Sequence, residues 1–332
     1  MPIQSSTYSP PCLLSGGHPQ TIYPALFRSP AIPPYRRERI DTPDGDFLDL
    51  DWLERSPDAA APAAGENGGE RLAVLCHGLE GNSTRPYNSG MAHVLHAAGW
   101  DVLAWNYRGC GGEPNRLLRS YHSGATEDLD VVVRHATEPR RHGRVALIGF
   151  SLGGNLVLKY AGERGRTIDP RIAAVVGFSV PCDLRASADR LALIQNRIYM
   201  HRFIVSLSEK LREKAVRFPG MLNLEPLATV RTFHQFDNLY TAPLHGFRDA
   251  ADYWERSSSA NYLAEINVPT LIVNALNDPY LAGRCYPVAE AEANPNITLE
   301  MPRSGGHVGF VSFNAERVYW SERRALQFLE AA

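Results

Sequence analysis

Short, unbroken apolar runs alternate with helical stretches along most of this chain, and that rhythm limits its fold more than any other feature. Arg71-LAVLC-His77, Trp100-DVLAWN-Tyr107, Arg144-VALIGF-Ser151, Ile172-AAVVGFS-Val180, Pro269-TLIVNA-Leu276 and Ile297-TLEM-Pro302 each read as a short buried strand. Between them, Pro86 to Ala98, Ala125 to His135 and Gly154 to Gly162 read as helices, and a last amphipathic helix is expected from about Asn314 to Leu329. Strands buried on both faces and joined by helices build a mostly parallel central sheet with helices on both sides, an α/β fold. The rhythm fails between Pro181 and Ile266, where helical and irregular patterns run without a clear buried strand. The simplest account is a helical cap inserted over one end of the sheet. The expected layout is an N-terminal arm over 1–45, a core over 46–180, a cap over 181–265 and the rest of the core over 266–332.

Seven prolines between Pro10 and Pro34 forbid long helices in the arm, which must wrap the body or stay loose. A turn at Pro43-Asp44-Gly45 precedes Asp46-FLDLDW-Leu53, whose alternation predicts a strand with one wet face. Ser56 to Glu70, small, polar and rich in Gly and Pro, reads as a surface loop. Composition excludes whole classes of function. Lys and Arg total 34 against 36 Asp and Glu, so the chain is not a generally basic nucleic-acid binder. No apolar run reaches the roughly 18 residues of a membrane span, and the start lacks the pattern of a secretory leader. Five scattered cysteines make neither a metal pattern nor a disulfide framework, so reduced thiols in a cytoplasm are expected, with no metal or cofactor.

The chemistry is carried by Gly149-Phe-Ser-Leu-Gly153, a G-x-S-x-G string lying between an apolar strand and a helix. A serine on so sharp a turn projects its oxygen beside the amide groups of a helix N-terminus, where a developing oxyanion is stabilised. An acid and a histidine should follow in that order. Asp278 stands just past the run PTLIVNA, and His307 follows the run ITLEM among glycines; Asp183 is the rival acid. Ser151, Asp278 and His307 are therefore the candidate nucleophile, orienting acid and base. The oxyanion hole is expected from the backbone N–H groups of Leu152 and Leu79, the latter in the loop His77-Gly78-Leu79-Glu80-Gly81. His18, His122, His201, His234 and His245 read as packing or surface residues.

With the strings HPQTIYPALFR, CHGLEGNSTRPYNSGM, NYRGCGGEPN, RSYHSGATEDLDVVV, GFSLGGNLVLKY, NALNDPYL and GGHVGF, the chain resembles the YheT-like family of the α/β-hydrolase superfamily. The resemblance runs from about His18 to the C-terminus and implies the α/β-hydrolase fold. It also implies a Ser-Asp-His triad, which falls on Ser151, Asp278 and His307, and carboxylesterase action on short- or medium-chain acyl esters without metal or organic cofactor. Eukaryotic relatives in that family are linked to lipid esters and are membrane-anchored, carrying an N-terminal hydrophobic segment; none is visible here, so stable membrane insertion is not expected.

Within the cap, Asn196 to Arg217 reads as an amphipathic helix with Met200, Ile204, Leu207, Leu211 and Ala215 on its apolar face. Its six cations, Arg197, Arg202, Lys210, Arg212, Lys214 and Arg217, face only Glu209 and Glu213. They fit either a solvated outer face or a lid that makes weak contact with an anionic lipid surface. Phe203, Phe218, Phe233, Phe236 and Tyr240 are candidates to line an acyl pocket. The leading expectation is a serine carboxylesterase taking a small-molecule ester. An acyltransferase with the same triad and a non-catalytic ligand-binding protein on the same scaffold are the alternatives. A dehalogenase or epoxide hydrolase would carry Asp where Ser151 stands.

Overall fold

Along β4 (Glu70–Cys76), Leu72, Val74 and Cys76 pack into one apolar cluster while Ala73 and Leu75 pack into another, and the two clusters lie on opposite faces of the sheet. The same alternation recurs in β6 (His142–Phe150), with Val145 and Leu147 on one side and Ala146, Ile148 and Phe150 on the other. Burial on both faces is why these runs contain no polar interruption. The computed structural model describes residues 3–55, 70–138 and 142–332; the surface loop expected over Ser56 to Glu70 lies outside them except at Glu70.

Among the described residues, nine strands form one sheet in the order β1-β9-β8-β7-β6-β4-β5-β3-β2. The remaining strands are β1 (Ile3–Gln4), β2 (Arg36–Asp41), β3 (Phe47–Leu53), β5 (Asp101–Asn106), β7 (Ile172–Phe178), β8 (Thr270–Val273) and β9 (Ile297–Glu300). Only the β2–β3 and β3–β5 pairs are antiparallel. Helix α1 (Gly17–Phe27) lies in the arm, and α2 (Pro86–Ala97), α3 (Thr126–Thr137) and α4 (Leu152–Arg164) follow β4, β5 and β6. The cap comprises α5 (Leu184–Leu191), α6 (Arg197–Arg217), the short turns α7 (Phe233–Phe236) and α8 (Ala242–Leu244), and α9 (Ala250–Ser257). Helices α10 (Val288–Ala293) and α11 (Trp320–Ala331) complete the chain. The parallel sheet with helices on both faces is the expected α/β-hydrolase architecture, with the helical insertion after β7.

Four local expectations are corrected. Strand β3 has no wet face: all seven residues are buried. Asp49 and Asp51 are each gripped by a two-pronged arginine of the neighbouring strand, Arg39 at 2.7 and 3.0 Å and Arg37 at 2.8 and 2.7 Å. Of the two alternatives for the arm, it is packed on the body and not loose, but its prolines do not keep it from forming the 11-residue helix α1. Pro19 falls in the first turn of α1, where a missing N–H costs nothing, and Pro24 is carried in its interior. Two strands of the sheet, β1 and β2, already lie inside the stretch read as arm, on β9 and β3 respectively. Finally, α11 starts at Trp320, with Glu322 accepting the Tyr319 N–H at 2.8 Å, six residues later than the periodicity suggested.

Candidate active site

The turn between β6 and α4 can be made only with small neighbours. Ser151 sits at φ +54°, ψ −119°, a region where a side chain is strained, held by its N–H to the Phe178 carbonyl at 2.9 Å. A Cβ at Gly149 would run into the Gly153 carbonyl, and one at Gly153 into that of Cys76; at Gly154 it would lie 2.6 Å from Val180 Cγ2. Each glycine of GFSLGG thus has a steric reason.

The three candidates come together. His307 Nε2 lies 2.8 Å from Ser151 Oγ, and His307 Nδ1 lies 2.9 and 3.1 Å from the Asp278 oxygens. The tautomer that satisfies all three has Nδ1–H donating to Asp278 and Nε2 accepting from the serine hydroxyl. The Asp278 side chain has no exposed surface and that of His307 is 9 % exposed. Asp278 also accepts the Tyr280 N–H at 2.8 Å, and the Tyr280 ring stacks on His307 at 3.9 Å. The rival acid, Asp183, instead caps α5 by accepting the Ala186 N–H at 3.0 Å.

Sequence reasoning did not see that the arm holds the histidine loop. Thr21 Oγ1 accepts the His307 N–H at 2.8 Å, and the fully buried Gln20 Oε1 accepts from Val311 N–H and Tyr8 O–H. Val308, at φ +55°, donates its N–H to Ser179 Oγ. Gln20 and Thr21 belong to the string HPQTIYPALFR, which was the available signal.

The loop after β4 runs against Ser151: a Cβ at Gly78 would sit 3.3 Å from Ser151 Cβ. Its amides are allocated in a telling way. Gly78 donates to Tyr87 O–H, Glu80 to Tyr121 O–H and Gly81 to the Gly78 carbonyl. Among the described residues the Leu79 N–H has no acceptor, and the Leu152 N–H, at the first position of α4, has no carbonyl four residues back to bond within the helix. These are the two amides expected from the sequence. His77 shapes the loop without titrating, because complete burial pushes its pKa down to about 3.

Lys210 ties α6 to this loop, and Lys214 and Arg217 tie it to the segment after β5, so these cations do not form the solvated outer face that was one of the two expectations. The buried Glu80 carboxylate accepts from Tyr121 O–H, Ser206 O–H and Lys210 at 2.6, 2.5 and 2.9 Å. Burial opposes its ionisation, yet Lys210 and these hydrogen bonds hold its pKa below the usual value. Lys214 reaches Asn115 Oδ1 and the Leu117 carbonyl, both at 2.7 Å, and Arg217 the Asn115 carbonyl at 2.7 Å. Arg197, Arg202 and Arg212 remain exposed.

A cavity opens from Ser151 into the cap, walled by Leu184, Ala188, Leu191, Phe203, Leu207 and Phe233. Of the five aromatics expected to line it, Phe203 and Phe233 do. Phe236 and Tyr240 instead form the cap's own core, and Phe218 does not reach the cavity. Tyr121, Tyr253, Trp254 and Tyr280 line it as well, and helical spacing alone gave no sign of them. His122 is also in the wall, and burial drives its pKa well below the usual value, so it is neutral.

Asp237, in the same wall, accepts from Thr241 O–H at 2.6 Å and Trp254 N–H at 2.8 Å, and burial raises its pKa to about 6. A carboxyl group with a raised folded-state pKa binds its proton more tightly when folded, so stability falls as pH rises from about 4 to about 6 and stays lower above. Asp237→Asn, which cannot ionise, should therefore be more stable than wild type at pH 8 by about 1–3 kcal/mol and lose that advantage near pH 4, as read by urea unfolding at the two pH values.

The sequence model described as alpha/beta hydrolase fold matches residues 73–313. YheT of Escherichia coli strain K12, an esterase by name, is 36 % identical over 310 residues, covering 92 % of this chain and 88 % of that protein. The mouse phospholipase ABHD3 is 28 % identical, over 93 % of this chain and 74 % of its own. Among solved structures, an esterase of Pyrococcus furiosus, Pf2001, aligns with a TM-score of 0.55 at 18 % identity, covering 90 % of each chain. A puromycin-hydrolysing peptidase of Mycobacterium tuberculosis aligns with a TM-score of 0.60 at 19 % identity, over 90 % of this chain and 40 % of its own; these two likenesses bear on fold alone. On the matching sequence model and the extent of identity with YheT, the chain belongs to the α/β-hydrolase superfamily and, within it, to the YheT-like family of esterase- and lipase-type hydrolases.

Proposed function

We propose that the protein is a serine carboxylesterase that cleaves short- to medium-chain acyl esters, lipid esters among them, through an acyl-enzyme. The observation that carries the reading is the unbroken line from Ser151 Oγ through His307 to the buried Asp278, set beside the unengaged Leu79 amide. Ser151 Oγ attacks the ester carbonyl carbon as its proton passes to His307 Nε2. The carbonyl oxygen, now carrying the negative charge, takes the N–H groups of Leu79 and Leu152. The imidazolium, steadied by the Asp278 carboxylate, protonates the departing alkoxide, and the alcohol leaves. Water then gives its proton to His307 and attacks the acyl-serine, and collapse of the second tetrahedral intermediate returns that proton to Ser151 and releases the carboxylic acid. The apolar cap cavity accepts the acyl chain, with the segment 181–265 acting as cap. The five free cysteines suit a reducing, cytoplasmic setting.

An alkyl fluorophosphonate tests the reading, since it phosphonylates only a serine activated by its base. One adduct per chain is expected by intact mass, mapped by peptide sequencing to Ser151. No adduct, or an adduct on another serine, overturns it.

A further inference from the structure

Two helices frame the mouth of the cavity that leads to Ser151, α1 from the arm and α6 from the cap, and both line the opening. His18 and Tyr199 bridge them, with rings stacked 5.7 Å apart and a 3.0 Å hydrogen bond between the Tyr199 hydroxyl and His18 Nδ1. Their outer surfaces are unusually apolar. On one side Ile22 and Leu26 line the opening at 42 % and 65 % exposure, and on the other Ile198 lines it at 75 %; Phe27, 69 % exposed, follows Leu26 in the chain, and Ile194, 78 % exposed, lies one turn before Ile198. Single exposed apolar residues are ordinary, but a set gathered on both lips of one opening marks an interaction surface.

The charge on the two lips is as selective. About one residue in nine of the chain is Asp or Glu, yet neither occurs from Ile3 to Tyr35 or from Leu191 to Ser208. Arg197 and Arg202 lie in the second stretch, exposed and without an ion-pair partner among the described residues. The surface is thus apolar at its centre and positive at its side, and the Glu80 carboxylate in the wall of the opening is buried and already paired with Lys210. This is the complement of a bilayer interface with phosphate groups above acyl chains. No helix among the described residues is long and apolar enough to cross a membrane, so contact through this rim would be peripheral.

We infer that the mouth docks on an anionic phospholipid surface, with α1 of the arm and the start of α6 as its two lips. The inference goes beyond ester hydrolysis, because docking needs the rim and not the serine. A lipid ester would then pass from the bilayer into the cavity without crossing bulk water, and the lips would stay fixed, since α1 is held to the body through Thr21 and Gln20.

Sedimentation of the full chain with vesicles tests this, using phosphatidylcholine alone and phosphatidylcholine with about 30 mol % phosphatidylglycerol. Wild type should bind the anionic vesicles more strongly, and the excess should vanish at about 0.5 M salt. Phe27→Ser combined with Ile194→Ser should weaken binding to both vesicles about tenfold or more. Arg197→Glu should weaken binding to the anionic vesicles alone. Both variants should hydrolyse p-nitrophenyl acetate as wild type does, since none of the substituted residues touches the reacting groups. Ser151→Ala should bind vesicles like wild type, which separates failure of docking from failure of the esterase reading. Absence of wild-type binding to either vesicle, or unaltered binding by the double variant, overturns the inference. So does light scattering that shows a dimer which the double variant dissolves, because the face would then join two copies of the chain.

Discussion

Ser151→Ala is expected to lower kcat for p-nitrophenyl butyrate by about 10⁶-fold while leaving the protein folded. The loss is large because the proposed mechanism has Ser151 act in concert with His307 and Asp278: without its oxygen, neither partner has the serine proton to move. A small residual rate should persist, since the Leu79 and Leu152 amides remain to polarise a bound ester for attack by water. The same residue carries a stability signature. At φ +54°, ψ −119° a Cβ is held in a region that costs on the order of 1–3 kcal/mol, whether the residue is Ser or Ala. Ser151→Gly removes the Cβ and the strain with it, set against about 0.5–1 kcal/mol of extra unfolded-state entropy. The glycine variant should therefore be inactive yet more stable than the alanine variant by about 1 kcal/mol in urea unfolding. Equal stability of the two would show that the turn is not strained, and kcat within about tenfold of wild type for either would remove Ser151 from the mechanism.

What could be read in advance follows from which interactions leave a periodic trace. Apolar burial does, so the parallel strands from β4 to β9 and the helices between them were legible from side-chain alternation. The elbow was legible too, because its glycines are required locally by contacts within a few residues and with the adjoining strand. Partnerships between charged groups far apart in the chain leave no such trace. Asp49 and Asp51 looked like a wet face because nothing in β3 announces that Arg39 and Arg37 cover them from β2. Lys210 and Lys214 looked solvated because Glu80 and Asn115 lie about a hundred residues or more earlier. The support of His307 by Thr21 spans nearly the whole chain. For the same reason the apolar spacing of α6 identified a buried face but not which aromatics of the cap line the cavity and which fill its core.

Asp278→Asn separates an acid that merely caps a turn from one that sets the state of the base. Its two oxygens are not equivalent: Oδ1 accepts the Tyr280 N–H at 2.8 Å, whereas Oδ2 is the closer to His307 Nδ1, at 2.9 Å. In the asparagine variant the backbone donor keeps the amide oxygen at the first position. The amide NH₂ must then point at Nδ1. A donor facing a donor drives the imidazole to its other tautomer, with the proton on Nε2, which can no longer accept from Ser151. A fall in kcat of about 10⁴ is therefore expected with almost unchanged volume and packing. Asp183→Asn is the matched comparison. Its carboxylate caps α5, a task asparagine performs nearly as well, so turnover should be unchanged and stability within a few tenths of a kcal/mol. Steady-state kinetics on the two variants decide the assignment. If Asp278→Asn stays within about tenfold of wild type while Asp183→Asn falls, the orienting acid is Asp183 and the hydrogen bond from His307 to Asp278 is structural only.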